Sequence, residues 1–298
     1  MIRYTGMAFL GMVIGILSGL FGVGGGFLLV PMLNVAFNIP YNIAVGSSLC
    51  QMIGTSLAAS LRHRSHGNVD FRLALFVIVG SMGGVETGAR IIMRLKDAGE
   101  MVVHGTQVTK LYTWINIIYV CLLLLVGFVM FFESMNARRN PLEGGKVKTA
   151  FSRRLENTVI RPVISLPVSH VGNISIWFLI ALGFGVGTLS GLLGVGGGFV
   201  LTPALIYFIG VPTSVAIGTG LFQIIFVSAY GSVSHFFKGN LDFRVVGSML
   251  AGSLIGSQIG VWIHKRIHEV HIRYYFSWIV FIAAVIIVVK FLFVIELL

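Results

Sequence analysis

Residues 18–31 read Ser-Gly-Leu-Phe-Gly-Val-Gly-Gly-Gly-Phe-Leu-Leu-Val-Pro, and residues 190–203, 172 positions further on, read Ser-Gly-Leu-Leu-Gly-Val-Gly-Gly-Gly-Phe-Val-Leu-Thr-Pro. Eleven of the fourteen positions are identical. The same offset runs without a gap through Asn68, Asp70, Phe71 and Arg72, matched by Asn240, Asp242, Phe243 and Arg244. It continues through Gly80, Gly84 and Gly88, matched by Gly252, Gly256 and Gly260. The chain is therefore a duplication with a glycine-rich interruption inside an apolar stretch of each copy. Such interruptions are tolerated in lipid only where protein or a water-filled cavity satisfies the freed backbone, and membrane carriers place them at a repeat interface to build a binding site.

Composition supports a membrane setting. Of 298 residues, 56% are hydrophobic and 10% charged, where a soluble domain has about a quarter charged. Eight apolar segments recur, near 7–37, 43–61, 73–93, 111–132, 174–209, 214–236, 245–263 and 274–295. Most are near the length needed to cross a hydrocarbon core about 30 Å thick at roughly 1.5 Å per helical residue. A transmembrane β-barrel would show alternating segments of about ten residues, which are absent. The first segment follows Arg3 and could pass for a secretory signal, but its copy lies deep in the chain, so cleavage is not expected. Cys50 and Cys121 fall in apolar segments with no Cys-x-x-Cys and read as small hydrophobes.

The net charge of +11 is spread over loops between spans, which the positive-inside rule explains better than a nucleic-acid partner. Residues 1–133 form a first transmembrane repeat and 173–298 a second, joined by a basic, cytoplasmic connector at 134–172. That connector carries Arg138, Arg139, Lys146, Lys148, Arg153, Arg154 and Arg161 against Glu143 and Glu156. The fold expected is an all-α polytopic membrane protein with two homologous four-segment repeats, the first helix of each broken by glycine. Eight full crossings are preferred over an alternative in which segments one and five are re-entrant and the repeats inverted, because those segments are long enough to span. Gly11, Gly15, Gly19 and Gly80, Gly84, Gly88, with their copies at Gly183, Gly187, Gly191 and Gly252, Gly256, Gly260, place small residues on one face of four helices. Those helices are expected at a tightly packed centre.

The candidate site starts at the breaks. Gly24, Gly25 and Gly26, with Gly196, Gly197 and Gly198, weaken a helix by about 1 kcal/mol each relative to alanine. A helix restarting after them presents free N–H groups and a positive dipole end, which attract anions. Their alternative role is close helix crossing. No Gly-Lys-Ser/Thr follows, so a nucleotide loop is excluded. Ser47 and Gln51, copied as Thr219 and Gln223, lie one turn apart within segments two and six, where a glutamine must be hydrogen-bonded. They offer neutral ligands to an oxyanion or interhelical bonds worth about 0.6 kcal/mol. Segments two and six follow Pro40 and Pro212, with Asn42 and Ser214 placed to cap them.

Glu86, with Arg90 one turn on, is the one acid well inside a span and could carry a coupling proton; its copy reads Gln258 and Trp262. His63 and His235 are the other titratable candidates. They precede Gly67-Asn68-x-Asp70 and Gly239-Asn240-x-Asp242, which read as tight Asx-type loops. His264, His268 and His271 with Glu269 read as a surface cluster and not a metal site, and no cofactor is expected.

The doubled Ser-Gly-Leu-x-Gly-Val-Gly-Gly-Gly-Phe motif, each copy followed by Pro and then Ala-x-Gly-Ser/Thr at Ala44–Ser47 and Ala216–Thr219, resembles the TauE/SafE family of sulfite exporters, a 4-toluene sulfonate uptake permease type of transporter. The resemblance covers nearly the whole chain outside the connector. It implies export of sulfite or a related sulfur oxyanion or organosulfonate across a bacterial inner membrane, linked to the proton gradient. An uptake carrier or anion channel is the runner-up. An intramembrane hydrolase lacks its motifs, with no Gly-x-Ser-x-Gly and no His-Glu-x-x-His. The expected partners are a small anion, protons and lipid, with no nucleic acid; a homo-oligomer is compatible with the composition.

Overall fold

The computed structural model describes residues 2–103, 106–139, 160–267 and 269–296. Its helices are α1 (Ile2–Phe21), α2 (Gly26–Phe37), α3 (Tyr41–Arg64), α4 (Phe71–Asp97), α5 (Lys110–Arg139), α6 (Ile176–Leu193), α7 (Gly198–Ala204), α8 (Thr213–Phe237), α9 (Phe243–His264) and α10 (Glu269–Glu296). A π turn, Leu205–Ile209, extends α7. Strands β1 (Glu100–Val103) and β2 (Thr106–Thr109) form one antiparallel hairpin, and β3 (Val163–Leu166) and β4 (Val171–Ser175) another. Eight of the described helices are long and apolar enough to cross a membrane, leaving α2 and the α7 segment as short apolar helices. The chain is an all-α polytopic membrane protein, as its apolar segments require.

Helix starts follow local chemistry. The Asp70 carboxylate accepts from the N–H groups of Arg72 (3.1 Å) and Leu73 (3.2 Å) and so caps α4; Asp242 caps α9 through Arg244 (2.8 Å) and Val245 (3.4 Å). Each such cap is worth about 1 kcal/mol. The capping expected of Asn42 and Ser214 is not found. Pro40 and Pro212 stand at the N-cap positions of α3 and α8 with no side-chain cap, and the Asn42 amide instead donates to the side-chain Oδ1 of Asn240 at 2.8 Å.

The glycine stripes pair helices from different halves. Gly11, Gly15 and Gly19 of α1 lie on Met249, Ser253 and Ser257 of α9, so these helices run parallel. Gly80, Gly84 and Gly88 of α4 lie on Ile180, Phe184 and Thr188 of α6 in the same sense. The approach is backbone to backbone: a Cβ on Gly15 would sit 2.8 Å from the Ser253 Cα, and one on Gly84 would sit 2.6 Å from the Thr188 nitrogen. Without a hydrophobic drive between helices in lipid, such close packing is what holds them together. The stripes make two tight pairs and not the single centre expected from sequence: α1 packs on α9 and α4 on α6, while the most buried spans, α3 and α8, lie between the pairs.

The course of segments one and five corrects the preferred eight-crossing arrangement. The glycines do not interrupt a single crossing; they reverse the chain. Gly25 already packs back against Ile14, and the Phe37 ring lies 3.3 Å from the Cβ position of Gly6, so α2 runs antiparallel to α1 toward the face where α1 began. At about 1.5 Å per residue its twelve residues cover roughly 18 Å. Then α3 crosses in the same direction as α1, and its His63 reaches the Gly19 carbonyl near the end of α1. The second half repeats this course from the opposite face, since α6 is parallel to α4 and the start of α3 packs on the end of α8, where Gly46 meets His235 and Asn240. The halves are inverted. The start of α1 and the end of α10 share one face, the terminal face; the end of α5 and the start of α6 share the other, the connector face. Span length alone could not reveal this, because α1 and α6 are each as long as a crossing.

If the stripes set the packing, Gly15→Val and Gly84→Val should each lower stability by about 2 kcal/mol through overpacking. Gly83→Ala, whose Cβ would find only Phe184 at 3.7 Å, should be neutral. Thermal unfolding of detergent-purified protein reads the difference.

Candidate functional site

The two reversals meet back to back in the buried centre. A Cβ on Gly26 would lie 2.5 Å from the Gly194 oxygen and 2.7 Å from the Val195 Cα, and one on Gly198 would lie 2.8 Å from the Gly22 oxygen. Gly25 and Gly197 adopt φ of 80° and 85°, a left-handed turn that a side chain would strain. The first aromatic residues of the returning helices, Phe27 and Phe199, stack with ring centroids 4.8 Å apart. Met52 and Ile224, at matching positions of α3 and α8, press on both turns.

Hydrogen bonding at the reversals is one-sided. The carbonyls leading into them are claimed by side chains: Gly19 by His63 (3.5 Å), Leu20 by His264 (2.9 Å), Gly191 by His235 (3.1 Å), Leu193 by Tyr119 and Gly194 by Ser48 (2.9 Å). By contrast, the N–H groups of Gly24–Phe27 and Gly196–Phe199 donate to no described acceptor. The centre therefore offers donors and a pair of positive helix ends to any ligand, the chemistry of an anion site.

Of the sequence-derived candidates, Gln223 joins this centre. Its amide lies 3.6–3.7 Å from the Cβ position of Gly197, its nitrogen donates to Ser81 at 3.1 Å, and its buried oxygen has no partner. Gln51 donates to Thr55 and Ser253, also with its oxygen unpaired. Ser47 and Thr219 are used elsewhere. Ser47 accepts from the N–H of Asp242 (3.0 Å) and Thr219 from that of Asp70 (2.9 Å), each fastening the capping loop of the other half. Asp70 also accepts from the Ser169 hydroxyl at 2.7 Å, and the Asx-type reading of these loops rests on the bonds from Arg72 and Arg244, each two residues on, to Asp70 and Asp242.

Glu86 lies toward the terminal face, beside the end of α8. Its carboxylate pairs with Arg90 (2.9 Å) and Lys238 (3.3 Å) and accepts from Ser234 (2.7 Å), and the Arg90 side chain is 70% exposed. The glycine reversals do not contact this cluster. His63 and His235 sit closer to the centre, on carbonyls three residues before Gly22 and Gly194. His268 of the surface cluster lies outside the described residues, and among those described no group of three potential ligands could hold a metal.

Sequence reading missed Arg273. It is 1% exposed, and its Nε and Nη1 donate to nothing. It lines a small cavity beside Val23 of the first reversal, together with Thr202 and Thr213, whose buried hydroxyl oxygens also lack partners among the described residues. Tyr207 lies against it, and among the described residues no carboxylate is within ion-pair distance. Only its position, five residues into the last apolar helix, could have flagged it.

Eight span-length helices and two inward-facing broken hairpins define a polytopic membrane transporter. A profile of the sulfite exporter TauE/SafE family matches residues 7–287, and the chain belongs to that family. It is 26% identical over 264 residues to the "Probable membrane transporter protein YunE" of Bacillus subtilis, covering 86% of this chain and 87% of that protein. It is 24% identical to YdhB of the same organism, named in the same words, over 83% and 84% of the two chains. The archaeal relative MJ0441 of Methanocaldococcus jannaschii, again named a probable membrane transporter protein, is 23% identical over 88% of this chain and 87% of its own. No solved structure matches.

The hydroxyls and the amides should separate on mutation. Ser47→Ala and Thr219→Ala strand a loop N–H and should each cost about 1–3 kcal/mol of stability without changing ligand affinity. Gln223→Leu should do the reverse. Paired melting and anion-binding measurements on the three variants check this.

Proposed function

We propose that this protein exports a small sulfur oxyanion or organosulfonate, sulfite in the first instance, binding it between the two glycine reversals. The carrying observation is the one-sided hydrogen bonding there: buried N–H donors at two helix ends, with the neighbouring carbonyls already taken. Gly24, Gly25, Gly26 and Gly196, Gly197, Gly198 supply the backbone cradle, and Gln223 and Gln51 supply neutral groups beside it. Arg273 contributes the buried positive charge that the cradle's apolar surroundings lack. A guanidinium buried without an ion pair, held among the described residues by Tyr207 alone, is costly to bury, and an arriving anion relieves that cost.

The connector face is the cytoplasmic one in this reading. It carries 12 Lys and Arg, counting the connector and leaving out the buried Arg273, against 8 on the terminal face, the asymmetry that the positive-inside rule attaches to the cytoplasm. The two repeats, 1–133 and 173–298, would rock about the back-to-back reversals to expose the cradle to each side in turn. Proton coupling is assigned to His63 and His235 ahead of Glu86, because the histidines hold the carbonyls that lead into the reversals.

Counterflow of radiolabelled sulfite in proteoliposomes tests the assignment. Gly25→Ala and Gly197→Ala should reduce flux at least tenfold at equal incorporation, and Arg273→Gln should weaken anion binding. Gly247→Ala, whose Cβ meets nothing within 4 Å, should transport normally. Wild-type flux in Gly25→Ala and Gly197→Ala would contradict the cradle.

A further inference from the structure

The duplication is close to perfect around the reversals, so departures from it show where the two faces differ. At the connector face, between the end of α3, the start of α8 and the end of α9, lies a cavity of about 230 Å³. Its polar lining is His63, His66, Asn68, Ser214, His264 and Lys265. Two of these side chains run directly to the first reversal, because His63 and His264 hold the Gly19 and Leu20 carbonyls just before Gly22. The rings of His63 and His264 meet edge to face, with centroids 5.0 Å apart. No carboxylate lines the cavity, although Lys265 stands exposed at its rim.

At the terminal face the equivalent place is filled. Offset by 172, His264 becomes Ile92, Lys265 becomes Met93, His66 becomes Lys238 and Ser214 becomes Asn42. There Asn42 donates to Asn240 (2.8 Å) and Asn240 donates to the Met93 sulfur (3.3 Å). Lys238 is drawn away to Glu86 at 3.3 Å. One face thus has an open, cationic, hydrogen-bonding cavity, and the other has the same position closed by side chains that satisfy one another.

We infer that the connector-face cavity is a loading site for a small oxyanion, in which Lys265 and the imidazoles of His264 and His66 bind the anion before it reaches the glycine cradle. The three histidines are not grouped so as to hold a metal ion among the described residues, and Lys265, with no carboxylate in the described lining, leaves the cavity positively charged, which favours anions. The start of α8 adds to the same preference. Ser214 stands at its second position, behind a proline N-cap that offers no side-chain acceptor, so the positive end of a 25-residue helix lies at the cavity wall. The neighbouring carboxylate does not cancel this field: Asp70, two residues beyond Asn68, is taken up by the N–H groups of Arg72 and Leu73 and by the Ser169 hydroxyl. Arg266 lies over the Trp262 ring at 3.6 Å and Arg62 donates to Gln258 at 2.8 Å, neither in an ion pair among the described residues. The site rests on the anion chemistry proposed above and assigns it a face, a binding step and a direction: the anion is loaded from the side that carries the connector.

Equilibrium binding of radiolabelled sulfite to the purified full-length protein in detergent tests this, with variants that install the residues of the closed face. Lys265→Met should raise the sulfite Kd about tenfold, the loss expected for a charge-assisted hydrogen bond. His264→Ile should do at least as much, and Lys238→Met on the closed face should leave Kd unchanged. Lys265 is exposed at the rim, so its variant should keep the wild-type melting temperature even if His264→Ile, which also frees the Leu20 carbonyl, does not fold. Wild-type affinity in Lys265→Met, or an equal loss in Lys238→Met, overturns the loading site while leaving sulfite transport standing. If the wild-type protein binds neither sulfite, sulfate, sulfoacetate nor phosphate, the anion chemistry itself fails and the loading site with it.

Discussion

An unpaired backbone N–H has no water to turn to inside a bilayer, and the arrangement of this protein follows from where it places two sets of them. Helix reversals within the membrane free about four N–H groups and four carbonyls each. Here the carbonyls are taken by His63, His264, His235, Tyr119 and Ser48, residues from helices that converge on the turns. The returning helix of each half packs on the turn of the other, Gly26 on Gly194 and Val195, Gly198 on Gly22. Such an approach is possible only without side chains, so the turns are glycine. The stripes on α1, α4, α6 and α9 bring the surrounding backbones equally close. Turn, stripe and inversion are one solution to one constraint.

Because the scaffold is duplicated, its chemistry is most visible where the copies part. Lys238 and Glu86 face each other near the terminal side, and the repeat-related positions hold His66 and Gln258. Ser234 bonds to Glu86, and its equivalent Arg62 bonds to Gln258, so the same contact is kept with the charge moved to the other partner. His264 and Lys265 open one face while Ile92 and Met93 close the other. Arg273 stands where the first copy offers no equivalent cation. An inverted repeat with identical halves would have no preferred side from which to load; these substitutions give it one.

Much of this was legible in the sequence. Apolar segment lengths fixed the helical class, the offset of 172 exposed the duplication, and four-residue glycine spacing identified the close-packed helices. The reversals were located to the residue. Their direction was not, because a 20-residue α1 satisfies the length rule whether the chain continues onward or doubles back. Ser47 and Thr219 looked like ligands because they sit one turn from Gln51 and Gln223, but the N–H groups that donate to them belong to loops of the opposite half, a contact that spacing cannot show. Glu86 looked deep because its helix extends well past the end of α8, so position within the segment misjudged its distance from the face. Arg273 was hidden in the opposite way. Near a helix end it reads as an interfacial cation, and only packing against Val23, Thr202 and Thr213 reveals it as buried.

The account stands on an anion occupying the space between the glycine reversals, and anomalous diffraction from crystals soaked in selenite, the heavier homologue of sulfite, addresses that most directly. A selenium peak within hydrogen-bonding distance of the N–H groups of Gly24–Phe27 or Gly196–Phe199 is the predicted result. Selenium bound only at other positions, with those N–H groups packed against protein alone, would contradict it.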